Sequence, residues 1–195
     1  MRLSHPQIFC LLAVLALLTY APCLDGPFIW DDHVLVETHQ VVSGRAAWTE
    51  VFWREMYAGT QTNYYRPLTL LSFRLQAGRD GLGDPFSLHL FNVLLHAAVG
   101  FLAFCFLRRF TGDYFVGFFA ALLFVLHPIH NESVAYISGR ADLLAAFFVL
   151  TSLLFFSVRR PEKGGLSFGF YLAGLSCFAA ALLAKETAIV FPLAL

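Results

Sequence analysis

Long apolar runs separated by short polar segments dominate the chain. A helix needs about 17–25 residues to cross the hydrocarbon core of a bilayer. Five runs fit that length if the fourth is begun at Ala141 rather than at Leu143. We predict spans near residues 7–24, 86–107, 114–130, 141–158 and 166–184, and the start of a sixth at 187. The pattern therefore predicts an all-α polytopic membrane protein with a long loop over residues 25–85.

Composition supports a membrane protein and argues against one class of partner. Apolar residues make up 58% of the chain and charged residues 13%, against about 25% charge in soluble domains. The net charge is zero, which predicts no nucleic-acid partner. The four cysteines lie in or beside apolar runs and are expected to be small apolar residues rather than a disulfide framework: Cys10, Cys23, Cys105 and Cys177.

Among the short connections between the runs, Lys and Arg cluster in alternate ones. Arg2 precedes the first run, Arg108 and Arg109 follow the second, and a basic cluster from Arg159 to Lys163 follows the fourth. Basic loops mark the cytoplasmic side, so we predict a cytoplasmic N-terminus. Residues 25–85, the turn 131–140 and Lys185–Glu186 then face the periplasm or the lumen, and a bacterial inner membrane and an endoplasmic reticulum membrane fit equally.

The first run has a second interpretation, a cleaved signal peptide. Arg2 is the only basic residue before the run, and Tyr20–Cys23 is a poor match to a small-residue cleavage site. These features favour an uncleaved anchor.

The long loop contains two predicted helices. Trp48, Val51, Phe52 and Met56 recur at helical spacing within residues 45–59, which is typical of a helix lying in the membrane interface or packed on the spans. Pro67 suits the first position of a second helix over 66–77, read as a surface or re-entrant helix. Residues 78–85 are a turn-rich linker into the second span.

Two adjacent carboxylates, Asp31 and Asp32, follow the first span. Near a low-dielectric boundary, desolvation and a neighbouring carboxylate raise the proton affinity of such a group, which suits a general base acting on a hydroxyl. The alternative is a solvated loop, or an N-cap for a helix starting near His33.

A second polar group surrounds the turn between the third and fourth spans: His127, His130, Glu132, Arg140 and Asp142. Ionisable groups at membrane depth usually line a cavity or a pathway. Pro128 is expected to break the helix there, which disfavours a metal site, and we predict none. The structural alternative is an internal ion pair from Arg140 to Asp142 or to Glu132.

Further polar residues extend this chemistry. His89, Asn92 and His96 share one face of the second span and are expected to face the bundle. Arg66 follows Tyr64 and Tyr65 and suits an anionic headgroup or phosphate, and Lys185–Glu186 adds a second cation. Residues 131–133 fit a glycosylation sequon but lie close to the membrane.

Six segments, in this order, resemble one family: Trp30–Asp32, Tyr65–Thr69, His89 to His96, Leu126–Val134, Gly139–Leu144 and Lys185–Thr187. The family comprises membrane O-mannosyltransferases that carry C-terminal tetratricopeptide repeats and modify cadherins, with their bacterial relatives. The resemblance runs from about Phe28 to Val190, and HPIHNE with GRADLL is its specific part. It implies a C-type glycosyltransferase fold, an essential acidic residue in the first outer loop, and a sugar donor on polyprenyl or dolichyl phosphate.

The resemblance implies that Asp31 or Asp32 activates the acceptor hydroxyl, with Asp31 preferred. Charge suggests that Arg66, Arg140 and Lys185 hold the lipid phosphate. The remaining members of the predicted pocket are His127, His130, Glu132, Asp142 and Glu186. No cofactor or metal is expected, because fixed cations can stabilise a phosphate leaving group.

The sequence hypothesis is an inverting transfer of a hexose, mannose by resemblance, to a protein Ser or Thr outside the cytoplasm. It predicts that Asp31, Arg66 and His130 converge on one pocket. The alternatives are a transporter lined by the span histidines and a non-catalytic assembly scaffold. The chain contains no tetratricopeptide repeats and stops within the sixth run, so we expect an N-terminal piece of a larger protein.

Overall fold

The computed structural model describes residues 2–56, 64–77, 83–158 and 168–194. Every regular element in these segments is helical. The seven α-helices are α1 (His5–Tyr20), α2 (Pro67–Gln76), α3 (Pro85–Thr111), α4 (Tyr114–Leu126), α5 (Asn131–Ala135), α6 (Arg140–Ser157) and α7 (Phe168–Ala184). Shorter helical turns of 3₁₀ or π type cover Ala21–Cys23, His33–Thr38, Trp48–Phe52, Pro128–His130, Ile137–Gly139 and Glu186–Ala194.

Three continuous helical stretches in the described segments are long and apolar enough to cross a membrane: His5–Cys23, Pro85–Thr111 and Ile137–Ser157. Helix α4 and the residues Pro128–Ala135 together form a fourth candidate, bent by 51°. The described part of helix α7 is apolar and has 17 residues. The chain is therefore a multi-pass helical membrane protein, with three or four candidate crossings by length and composition.

Helix α3 is the centre of the bundle and packs against α1, α4 and α6, while α7 packs against α6. The core between α1, α3 and α4 is apolar and fully buried; it includes Ile8, Leu12, Ala16, Val93, Ala97, Ala121 and Val125. On the other side of α4, Phe115, Phe119 and Leu123 are exposed at a spacing of four residues. That spacing defines one face of the helix, which suits contact with lipid chains.

A two-residue turn joins α3 to α4. Gly112 ends α3 with a φ of +74°, a left-handed conformation that favours glycine. Asp113 then caps α4, and its carboxylate accepts hydrogen bonds from the backbone amides of Phe115 and Val116. The two helices therefore run antiparallel as a tight hairpin.

The two ends of the bundle differ in chemistry. Arg108 contacts His5, Arg109 donates to the Ser157 carbonyl, and Arg2 lies over the Tyr114 ring. We call this the basic end; Arg159 to Lys163, which we predicted to join it, lie outside the described residues. At the opposite end, which we call the polar end, the loop after α1 meets the turn between α4 and α6.

The loop after α1 has its own apolar core with α2. Its buried members include Leu35, Val36, Val41, Val42, Val51, Met56, Leu70 and Phe73. The helix predicted over residues 45–59 is wrong for the described part, which contains only the turn Trp48–Phe52. Val51 and Met56 enter this core whereas Trp48 and Phe52 stay exposed, because tertiary contacts rather than helical periodicity place them.

The second predicted helix is present. Pro67 is the first residue of α2 and Gln76 the last, so each end lies within one residue of the predicted range 66–77. It buries Leu70 and Phe73 against the loop core. The linker 78–85 lies mostly outside the described residues, but Asp84 caps α3 by accepting a hydrogen bond from the Ser87 amide.

Pro128 ends α4 as predicted, and the chain turns through α5 back to α6. Gly139 lies against α5 so closely that a Cβ atom there would be 2.6 Å from the Glu132 carbonyl oxygen and 2.8 Å from the Ser133 Cα. Both neighbours are backbone atoms, which cannot rotate away. The close approach therefore requires glycine.

We predict that Gly139→Ala lowers the unfolding temperature, because overpacking against backbone costs about 1–3 kcal/mol. The matched control is Gly169→Ala, since a Cβ at Gly169 would have no neighbour within 4 Å. Thermal unfolding of both variants in detergent, followed by circular dichroism, is the measurement. Equal unfolding temperatures would contradict the close packing.

Candidate functional site at the polar end

The two adjacent carboxylates have different surroundings. Asp32 is fully buried, and its Oδ1 accepts hydrogen bonds from the Ser138 amide at 2.9 Å and from the Ser138 hydroxyl at 2.5 Å. Its Oδ2 accepts from the Ile29 amide at 3.2 Å. Burial raises the pKa of Asp32, and the Ser138 hydrogen bonds oppose that shift. Asp32 therefore fastens the loop to the turn before α6, and its side chain does not cap the helical segment at His33.

Asp31 lies in a strained and exposed part of the loop. The preceding residue, Trp30, has a φ of +46°, which is uncommon for a bulky residue and costs about 1–3 kcal/mol. The Asp31 amide donates to the Tyr136 hydroxyl at 3.1 Å, and the Trp30 ring meets the Tyr136 ring edge-on at 6.3 Å. Trp30 is 82% exposed. Tyr136 thus holds this strained segment at the surface of the turn.

A cavity of about 540 Å³ lies beside Asp31. It is lined by Ile29, Trp30, Asp31, Asn131, Glu132, Ala135 and Tyr136. Asp31 and Glu132, which are both exposed, therefore face one space. Carboxylates and an amide can bond to hydroxyl groups, and the aromatic rings offer flat apolar surfaces. The cavity suits a polyhydroxylated ligand.

Arg140 is fully buried and holds the framework of this end. Its guanidinium donates to Asn92 Oδ1 at 2.8 Å and to the Leu88 carbonyl at 3.1 Å, and it lies between the rings of Phe73 and Phe91. The pair to Asp142 or Glu132 that the sequence suggested is not what the structure shows, because the side chain points into the bundle toward α3. The same burial separates the guanidinium from the cavity beside Asp31.

Two ion pairs join α7 and the following turn to the rest of the polar end. Lys185 Nζ lies 2.5 Å from Asp142 Oδ1. Arg66 donates two hydrogen bonds to Glu186, at 2.8 Å and 2.5 Å, and its guanidinium lies over the Tyr64 ring. The cation on Arg66 keeps the pKa of the Glu186 carboxyl below its usual range. A second cavity of about 330 Å³ lies here, lined by Tyr64, Tyr65, Leu182, Glu186 and Ile189.

The histidines of α3 lie in the core, and those that follow α4 lie in the turn. His89, Asn92 and His96 are buried toward the bundle, as predicted. His96 contacts the Val125 carbonyl, and His130 packs on Phe124 with ring centroids 4.2 Å apart. His127 Nδ1 accepts from the Ile129 amide and so stabilises the break at Pro128.

The polar candidates therefore separate into clusters rather than one pocket. Neither Arg66 nor His130 is among the residues that line the cavity beside Asp31, so this cavity does not join the three residues that were expected to converge. The His96 ring stacks on Phe124 at a centroid distance of 5.0 Å, and the His130 ring lies tilted against the same ring. In the described segments no three His, Cys, Asp or Glu residues are grouped to hold a metal ion.

Sequence reasoning missed Ser138 and Tyr136, which position the two aspartates. Both are polar residues in the short stretch 133–138 between the two specific motifs. That position was the available signal. Their partners lie more than 100 residues earlier in the chain, so spacing alone did not reveal them.

The helices and the cavity define a polytopic membrane protein with an acidic, aromatic-lined cavity at one end of its bundle. The family described as "Dolichyl-phosphate-mannose-protein mannosyltransferase" matches residues 72–195. The chain belongs to this family.

Curated relatives agree with that assignment. The chain is 38% identical over 184 residues to Protein O-mannosyl-transferase TMTC2 of Homo sapiens, covering 91% of this chain and 22% of the relative. It is 33% identical to TMTC4 of Homo sapiens, covering 89% and 26%, and 35% identical to Tmtc2 of Drosophila melanogaster, covering 95% and 21%. The chain thus spans about a fifth to a quarter of the length of these relatives. No solved structure matches the chain significantly.

We predict that Asp32 and Ser138 stabilise the fold jointly. Asp32→Ala should lower the free energy of unfolding by about 1–3 kcal/mol, because it leaves the buried Ser138 donors without an acceptor. Ser138→Ala should cost less, and the double variant should cost less than the sum of the two single variants. Denaturant unfolding of the four proteins measures the coupling. Strict additivity would show that the two side chains do not interact.

The Arg66–Glu186 pair should respond to pH. Because the folded-state pKa of Glu186 is depressed below 4.5, its stabilising effect is present above that pH and is lost as pH falls through the folded value. The difference in unfolding temperature between the unmodified protein and Glu186→Gln should therefore shrink on acidification toward pH 3. Glu55→Gln, which removes an exposed carboxylate of the loop that forms no ion pair in the described segments, is the control. A difference independent of pH would contradict the pairing.

Proposed function

We propose that this chain supplies the acceptor-activating part of an enzyme that transfers mannose from dolichyl or another polyprenyl phosphate to a protein Ser or Thr. The observation that carries the proposal is the cavity in which the exposed Asp31 and Glu132 face the same space. Family membership supports the reaction class, and the names of the curated relatives support protein as the acceptor.

Asp31 is the proposed base, and Asp32 is a positioning residue. The acceptor hydroxyl oxygen attacks the anomeric carbon from the face opposite the phosphate, so the configuration inverts. The bond from that carbon to the phosphate oxygen breaks, the lipid phosphate leaves with the bonding electrons, and the hydroxyl proton passes to the Asp31 carboxylate. The buried Asp32 has its oxygens committed to Ser138 and Ile29 and is less suited to accept that proton.

Arg66 and Lys185 are the proposed cations for the lipid phosphate. Both already bind carboxylates, Glu186 and Asp142, and a phosphate group would compete with those carboxylates for the same N–H donors. Arg140 is better assigned to the framework, because its guanidinium is buried between two phenylalanine rings. We retain His127 and His130 only as residues that shape the turn beside the cavity.

The proposed topology places the reaction outside the cytoplasm. Five spans plus the start of a sixth at residue 187, with a cytoplasmic N-terminus, put the polar end on the lumenal or outer side. Residues 1–195 are then the N-terminal part of a C-type glycosyltransferase module. The gathering of Arg2, Arg108 and Arg109 at the opposite end supports this orientation.

We predict that Asp31→Asn lowers mannosyl transfer by about 10²–10⁴-fold, because an amide cannot accept the hydroxyl proton. Transfer of radiolabelled mannose from dolichyl phosphate mannose to acceptor protein, by the full-length protein in detergent, is the measurement. Asp25→Asn, which changes an exposed carboxylate of the same loop, is the matched control.

Asp32→Asn should lower both transfer and the unfolding temperature, whereas Asp31→Asn should lower transfer alone. Full transfer by Asp31→Asn would remove Asp31 from the base role. Full transfer by Asp31→Asn, by Asp32→Asn and by the double variant would end the assignment of this cavity as the acceptor site.

A further inference from the structure

Two cavities adjoin each other at the basic end, remote from the polar end. One has a volume of about 570 Å³ and is lined by Phe106, Arg109, Phe110, Phe156 and Ser157. The other has about 350 Å³ and is lined by His5, Cys105, Arg108, Arg109 and Leu154. Arg109 belongs to both. One side of the combined space is therefore aromatic and the other carries adjacent guanidinium groups.

The Arg109 guanidinium is held in place. Its Nε and one terminal nitrogen donate to the Ser157 carbonyl at 3.1 Å and 2.7 Å, at the C-terminal end of α6. Arg108 contacts His5 at 3.1 Å and lies over the rings of Phe104 and Tyr114. These partners orient the two cations, but none of them carries a negative charge.

The nearest acidic residue in the sequence does not neutralise this group. Asp113 directs its carboxylate to the backbone amides of Phe115 and Val116 as the cap of α4. Arg2, which lies over the Tyr114 ring, adds a third cation to the same end. Within the described segments, no ion pair involves Arg2, Arg108 or Arg109.

We propose that these cavities form a binding site for an anionic glycerophospholipid. Its phosphate lies between Arg108 and Arg109, and its glycerol and upper acyl carbons lie along Phe106, Phe110 and Phe156. Two adjacent guanidinium groups supply several N–H donors for phosphate oxygens, which makes arginine well suited to this ligand. The site is independent of the transferase chemistry proposed for the polar end.

The surroundings favour a lipid over a soluble phosphate. The cations stand at the ends of apolar helices, where the headgroup layer of a membrane begins. Phe110 is 79% exposed next to Arg109, a position that would be unfavourable in water and is satisfied by acyl chains. A lipid therefore matches both the charge and the apolar wall, whereas inorganic phosphate matches only the charge.

Native mass spectrometry of the full-length protein tests the site. The protein is released from detergent after incubation with phosphatidylserine or phosphatidylcholine, and the bound lipid is counted. We expect retention of phosphatidylserine in clear excess over phosphatidylcholine. Equal retention of the two lipids by the unmodified protein would overturn the proposal, and that comparison requires no variant.

Variants locate the site. Arg108→Gln with Arg109→Gln should weaken phosphatidylserine binding about twenty-fivefold, since each basic residue near a membrane contributes about fivefold. Arg45→Gln, which removes an exposed charge from the loop at the other end, should leave binding unchanged. Binding by the double variant equal to that of the unmodified protein would overturn the assignment. So would displacement of phosphatidylserine by an equal concentration of inorganic phosphate, because that result would indicate a soluble-anion site.

Discussion

The polar end depends on the burial of one guanidinium group. A charge removed from water is unfavourable by several kcal/mol unless its donors are satisfied. Arg140 meets that requirement with the Asn92 side chain, the Leu88 carbonyl and two flanking aromatic rings. Asn92 in turn donates to the carbonyls of Tyr136 and Ile137. A single cation thus ties α2, α3 and α6 to the turn that carries the cavity.

Residues of that turn position the two adjacent aspartates. Tyr136 binds the backbone at Asp31, and Ser138 binds the carboxylate of Asp32. One aspartate is therefore presented to the cavity while its neighbour is buried as an attachment point. The strain at Trp30 is sustained because both sides of the segment are fixed. The different positions of Asp31 and Asp32 therefore follow from these long-range contacts.

The sequence predicted features that depend on local pattern. The apolar runs located the helices to within a few residues. The span predicted at 86–107, for example, corresponds to the helix Pro85–Thr111. Pro67 and Pro128 marked a helix start and a helix break, because proline restricts the backbone wherever it occurs. The spacing of His89, Asn92 and His96 identified a buried face, because residues three and four positions apart lie on the same side of a helix. Resemblance to a family was confirmed by the family match, which covers residues 72–195.

Features set by distant contacts were not predictable in this way. The partners of Arg66 and Lys185 are Glu186 and Asp142, at separations of 120 and 43 residues. On charge alone, three cations were assigned to one phosphate. In the fold, Arg66 and Lys185 form separate ion pairs, and Arg140 is buried in the hydrogen-bonded framework of the polar end. Trp48 and Met56 share a helical spacing but do not lie on one surface. Met56 is buried in the apolar core of the loop, whereas Trp48 is exposed.

The two-residue turn at Gly112 and Asp113 has a consequence for how the chain enters a membrane. A connection this short gives α3 and α4 no freedom to insert at separate times or places. Their caps form locally, and their facing surfaces lie next to each other as soon as both have been synthesised. The pair is therefore suited to leave the insertion machinery as one preassembled hairpin, with α1 already available to pack on both helices. The turn of this first folding unit would then lie at the end of the bundle opposite the proposed catalytic cavity.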